Sequence, residues 1–138
     1  MRLEYEAINA AAFLFEASRG NELRAFEQRE IAEHGLANSD LEDVTKELMR
    51  WARDDQSNSD TRGRAYWALG KKCDSSLLLF FIESLRLELP RDLNATYQIM
   101  IALDNLGEPV FSKARKGYSF SEEELYRDDA EKYLAMKD

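Results

Sequence analysis

The chain has 138 residues and a mass of 16.0 kDa, room for one compact domain; 44% hydrophobic residues can build a core and 33% charged residues can cover it. A net charge of −8 opposes broad attraction to nucleic-acid backbone or anionic lipid, so a basic protein partner is expected. One cysteine (Cys73) excludes an internal disulfide, one histidine (His34) leaves too few soft ligands for a catalytic metal, and no cofactor is called for; the longest apolar run, Leu77 to Ile82, cannot span a membrane, and Met1–Glu4 opens no secretory signal, which together suggest the cytosol.

Hydrophobic spacing is helical throughout, which predicts eight helices and no sheet, an all-α fold. The first spans 3–18, apolar almost all round, with Arg19–Gly20 as its left-handed stop. Asn21 is expected to cap a second, carrying Leu23, Phe26 and Ile31, that ends at Gly35 in a Schellman-like turn followed by Leu36. Ser39-x-x-Glu42 reads as a capping box for a third helix striped by Leu41, Val44, Leu48 and Trp51.

Residues 54–60 are the most polar stretch and read as an exposed loop, after which Ser59 or Asp60 caps a fourth helix running to Gly70. Asp74 caps a fifth, with Leu77, Phe81, Leu85 and Leu89 on its inner face, and Pro90 ends it. A sixth, marked by Leu93, Tyr97, Met100 and Ile101, stops at Gly107. Pro109 then starts a short seventh helix over 109–116, closed by Gly117. The eighth covers 122–137: Ser121 caps it, Glu124 completes the box, and Phe120 staples against Leu125.

Gly35, Gly70 and Gly107 each end an apolar helix at near-equal separations, the mark of stacked helical hairpins, which bury their apolar faces only against one another. The stretch from Arg64 through Ala68-Leu69-Gly70 and Asp74 to the Leu-rich face ending at Leu85 resembles a HEAT-like repeat, and Leu106-Gly107-Glu108-Pro109-Val110 resembles the same turn in the next unit. This resemblance covers roughly 22–117 and implies a single HEAT-like repeat domain with cap helices at both ends. Departures are the absence of proline at Cys73-Asp74-Ser75 and a shortened last unit. In profile the chain is also similar to small bacterial immunity proteins of the contact-dependent growth inhibition type.

No residue pattern specifies catalysis. His34 beside Gly35 complements a helix C-terminus, and Cys73 lacks a base partner. The pairs Asp54–Asp55 and Asp128–Asp129 read as solvated, and Lys113, Arg115 and Lys116, the one basic cluster, either as a phosphate contact or as a last-turn dipole complement, which explains it as well. In stacked hairpins the connections between units share one edge, which groups Asp54, Asp55, Asp60 and Asp92; Asp40, Asp74 and Glu108 fall on the other. Trp51 beside the polar loop is the candidate anchor. The profile resemblance implies a non-enzymatic immunity protein that occludes a basic toxin such as a nuclease. The alternative is a HEAT-like adaptor or regulatory scaffold.

Overall fold

A computed structural model describes residues 1–112 and 123–138. Among these residues the chain is all-α, with seven helices and no strand. In order they are α1 (Ile8–Ser18), α2 (Ala25–Glu33), α3 (Leu41–Arg53), α4 (Ser59–Gly70), α5 (Leu78–Glu88), α6 (Leu93–Asn105) and α7 (Glu123–Lys137), with single 3-10 turns at Tyr5–Ala7 and Ser75–Leu77. Helix α4 lies at the centre, packed against α1, α3 and α6, while α5 pairs with α6 and α7 rests on both. Buried side chains from Leu3 to Leu134 form one apolar cluster in which Phe15, Leu48, Tyr66, Leu85 and Ile99 are fully enclosed.

Helix ends follow local chemistry. Gly20, Gly35 and Gly107 all have positive φ, and each closes a Schellman pair: Gly35 N–H reaches Ala32 O at 3.1 Å and Leu36 N–H reaches Ile31 O at 3.0 Å. Leu36, as its position after the glycine predicts, is buried.

Gly70 differs. It is the last residue of α4, and the left-handed position falls instead on Cys73, φ 50°. A Cβ on Gly70 would stand 3.1 Å from the Ala102 Cβ, so this glycine sets how closely α4 and α6 approach.

Several expected starts move by a residue or more. The first helix is preceded by a 3-10 turn instead of beginning at residue 3. Asn21 does not cap α2, because its N–H completes the Schellman end of α1 on Glu16 O; α2 opens after Arg24, whose N–H is taken by Glu27 Oε1 at 2.8 Å. Asp40, not Ser39, caps α3 by accepting from Glu42 N–H at 2.8 Å. Asn58, not Ser59 or Asp60, caps α4 through Thr61 N–H, also at 2.8 Å, which draws Asp60 into the helix's first turn. Asp74 caps as expected, although a 3-10 turn separates it from α5.

No helix starts at Pro109. Residues 108–112 are irregular, with Val110 buried and Ser112 N–H held by Asp129 Oδ2 at 2.9 Å. Asp129 is accordingly buried on α7 and not solvated, while Asp128 pairs with Lys132 at 3.1 Å. The basic cluster at 113–116, Gly117, Phe120 and Ser121 lie outside the described residues, as do the side chains of Glu124 and Leu125.

Candidate functional site

The end of α3, the polar connection to α4 and the turn between α5 and α6 come together on one edge. Trp51, in the last turns of α3, is half-buried; its indole N–H donates to Leu3 O at 2.8 Å, and Glu47 Oε1 takes Leu3 N–H at 2.7 Å. These bonds dock the N-terminal segment and bring the Tyr5 ring edge-on to Trp51, 6.4 Å between centroids. Arg50 covers the Trp51 ring from 4.9 Å.

The connection then folds on itself, with Asp54 Oδ1 accepting from Gln56 N–H at 2.8 Å and Asp54 O from Ser57 N–H at 3.0 Å. Between the aromatic pair and this turn lies an open groove of about 430 Å³, lined by Tyr5, Trp51, Asp54, Ser57, Asn58 and Thr61 among others. Ser57 Oγ is buried there without a hydrogen-bond partner.

The expected grouping of carboxylates is only partly a surface. Asp55 and Asp60 stand outward, their side chains 77% and 75% exposed, and make loose ion pairs with Arg91 at 3.4 Å and Arg64 at 3.6 Å. Asp54, half-buried, sits at the groove rim. Asp92 belongs to the interior: it caps α6 through Ala95 N–H at 3.0 Å, accepts from Ser59 Oγ at 2.9 Å, and takes Arg62 Nη2 at 2.7 Å. At 6% exposure it is withdrawn from any partner, which corrects its assignment to the contact surface.

Beneath the edge runs a network that spacing alone did not isolate. Glu88 is fully buried, accepting from Arg91 Nε at 2.8 Å and Tyr66 Oη at 3.2 Å, with Arg62 Nε 3.5 Å away. Burial raises the Tyr66 hydroxyl pKa, while the Glu88 carboxylate raises that of the Arg91 guanidinium. The signal for Glu88 was present: it continues the Phe81–Leu85 stripe at helical spacing, where an apolar residue is the usual occupant. Arg53 and Arg62 had no such local mark, since Ser84 and Asp92 lie about thirty residues away, whereas Arg91 stands three residues after Glu88.

On the opposite side Lys72 Nζ ties Glu42 at 2.7 Å to Asp74 at 3.3 Å, and backbone donation from Ser76 holds the Asp74 carboxyl below its usual range. Glu108 is engaged by Tyr133 Oη at 2.6 Å and Lys137 at 2.9 Å, which keep its carboxyl low in turn.

His34 pairs with Glu30 at 3.3 Å at the end of α2. Among the described residues no cluster of three or more His, Cys, Asp or Glu side chains could hold a metal ion, and no helix is long and apolar enough to cross a membrane. Comparison with protein families, with curated proteins and with solved structures finds no match to this chain.

Proposed function

We propose that this chain is a non-enzymatic binding protein that neutralises a basic protein toxin by covering its active site, with Trp51, Asp54, Asp55 and Asp60 at the contact. The observation that carries the reading is an open groove lined by the Tyr5–Trp51 aromatic pair and Asp54, with the Asp55 carboxylate three-quarters exposed on the same connection and Asp60, equally exposed, at the start of α4 where a neighbouring groove begins. An aromatic anchor in a groove, rimmed by charge, is how protein interfaces divide affinity from encounter rate. The ion pairs of Asp55 and Asp60 are long and exposed, so exchanging Arg91 and Arg64 for a partner's cations costs little. The net charge of −8 supplies attraction at longer range. Hairpins α3–α4 and α5–α6, laid together through α4 and α6, support the HEAT-like reading of the scaffold.

The test is co-expression with the polypeptide encoded beside this gene, scored for a stoichiometric complex and for growth protection. Both are expected. A complex without protection favours the adaptor reading, and the absence of both overturns the proposal.

A further inference from the structure

The Trp51 groove holds a carboxylate that has no ion-pair partner. Among the described residues that line it, Asp54 alone is charged at neutral pH; Tyr5 and Trp51 are aromatic, and Gln56, Ser57, Asn58 and Thr61 are neutral. Asp54 Oδ1 accepts from Gln56 N–H at 2.8 Å, and among the described residues neither carboxylate oxygen meets a cation. Its position sharpens the imbalance. Asp54 is the C-cap of α3, where the last-turn carbonyls already carry partial negative charge and a cation is the favoured neighbour.

The nearby arginines are engaged elsewhere. Arg50, over the Trp51 ring, is bound to Glu47 at 3.1 Å, and Arg64, 5.5 Å from the Tyr5 ring centre, pairs with Asp60. Arg53 turns to Ser84 Oγ on α5 at 2.9 Å. Arg62 donates to Ser57 O at 2.6 Å, but its charge is met by Asp92 at 2.7 Å and Glu88 at 3.5 Å. None of the four lines the groove.

We infer, resting on the edge proposed above as the contact surface, that this groove receives an arginine side chain of the partner protein, its guanidinium set between the Tyr5–Trp51 pair and the Asp54 carboxylate. A planar guanidinium is weakly hydrated, stacks on rings and binds carboxylates through paired N–H groups, whereas lysine brings a compact, strongly hydrated charge. The same two rings already take guanidinium groups from this chain, Trp51 from Arg50 and Tyr5 from Arg64. At about 430 Å³ the groove falls within the ~300–1,000 Å³ of pockets that hold small molecules, so the hydrocarbon stem fits with its head group. A bare calcium ion would need ~6–8 oxygen ligands, and Asp54 is the one carboxylate among the described lining residues.

The experiment needs no toxin. The full chain labelled with nitrogen-15 is titrated with arginine blocked at both ends and with its lysine and citrulline counterparts; citrulline keeps the shape of arginine without the charge. Blocked arginine at tens of millimolar is expected to shift the Trp51 indole and the Gln56 side-chain amide and to leave the Trp67 indole in place, with an apparent affinity about fivefold above lysine and about tenfold above citrulline. Asp54→Asn keeps an acceptor for Gln56 N–H, so the turn persists, and should bring arginine down to the level of citrulline. An unmoved Trp51 indole, equal response to lysine or citrulline, a Trp67 shift as large as that of Trp51, or an undiminished arginine preference in Asp54→Asn would each overturn the inference. A chain that forms the complex with the neighbour-encoded polypeptide yet ignores arginine loses this inference alone, and one that takes arginine yet forms no complex loses the toxin alone.

Discussion

Arg62 Nη2 lies 2.7 Å from Asp92 Oδ2, joining the first turn of α4 to the cap of α6. Both side chains are largely buried, so the pair is part of the scaffold on which the exposed edge is mounted. Removing one member of a buried pair strands the other, and Asp92→Ala also leaves Ala95 N–H and Ser59 Oγ without an acceptor. A loss of about 3–5 kcal/mol is expected in urea unfolding. Loss below about 1 kcal/mol would mean that Asp92 is not the internal tie described.

Gly70 and Ala102 bring α4 and α6 together, with no space for a branched side chain between them. Gly70→Val should destabilise by about 1–3 kcal/mol through overpacking. Ala102→Gly in the same chain should recover part of that loss, a non-additivity that a double-mutant cycle measures. Additive effects would place the two residues out of contact.

Leu85 is fully buried on the inner stripe of α5. Leu85→Ala leaves a cavity where α5 meets α6 and should lower stability by about 2–5 kcal/mol. An unchanged thermal midpoint would contradict the placement of that stripe.

Glu47, Asp74 and Glu108 are held below their ordinary values of 4.5, 3.8 and 4.5, respectively by Arg50, by Ser76 N–H and by the Tyr133 hydroxyl. A carboxylate with a lowered folded-state pKa contributes stability that is complete above the unfolded value and is lost as pH falls through the folded one. The urea midpoint should therefore hold from neutrality down to about pH 5 and decline below about pH 4.5. Glu108→Gln should make that decline shallower, whereas an identical acid profile would show that Glu108 contributes nothing to it.

What the sequence exposes is governed by how local the chemistry is. The Schellman ends at Gly20, Gly35 and Gly107 need only a glycine after an apolar helix, and all three form. Gly70 has the same local signature, yet its role is set by Ala102, thirty-two residues on, and its place in the apparent glycine period has a different physical origin. At Ser39–Asp40 and Asn58–Ser59–Asp60 neighbouring residues are all competent caps, so composition alone leaves the start open by one or two residues. The candidate edge divides likewise. Hairpin geometry brings the 54–60 connection beside the 88–92 turn, but whether a given aspartate faces water depends on arginines distant in sequence, and Asp92 is taken inside by Arg62.

In the proposed function, Asp54, Asp55 and Asp60 steer a basic partner onto the Trp51 groove. Charge reversal of all three to Lys removes a turn acceptor, two loose ion pairs and a favourable helix-start charge, together costing no more than about 2 kcal/mol, so the fold survives. The measurement is the association rate with the purified polypeptide encoded beside this gene across ionic strength. The native chain should associate fast at low salt and slow steeply as salt rises, while the triple variant should be at least about tenfold slower and nearly insensitive to salt. Equal rates and equal salt dependence for the two would contradict the assignment of this edge as the interface.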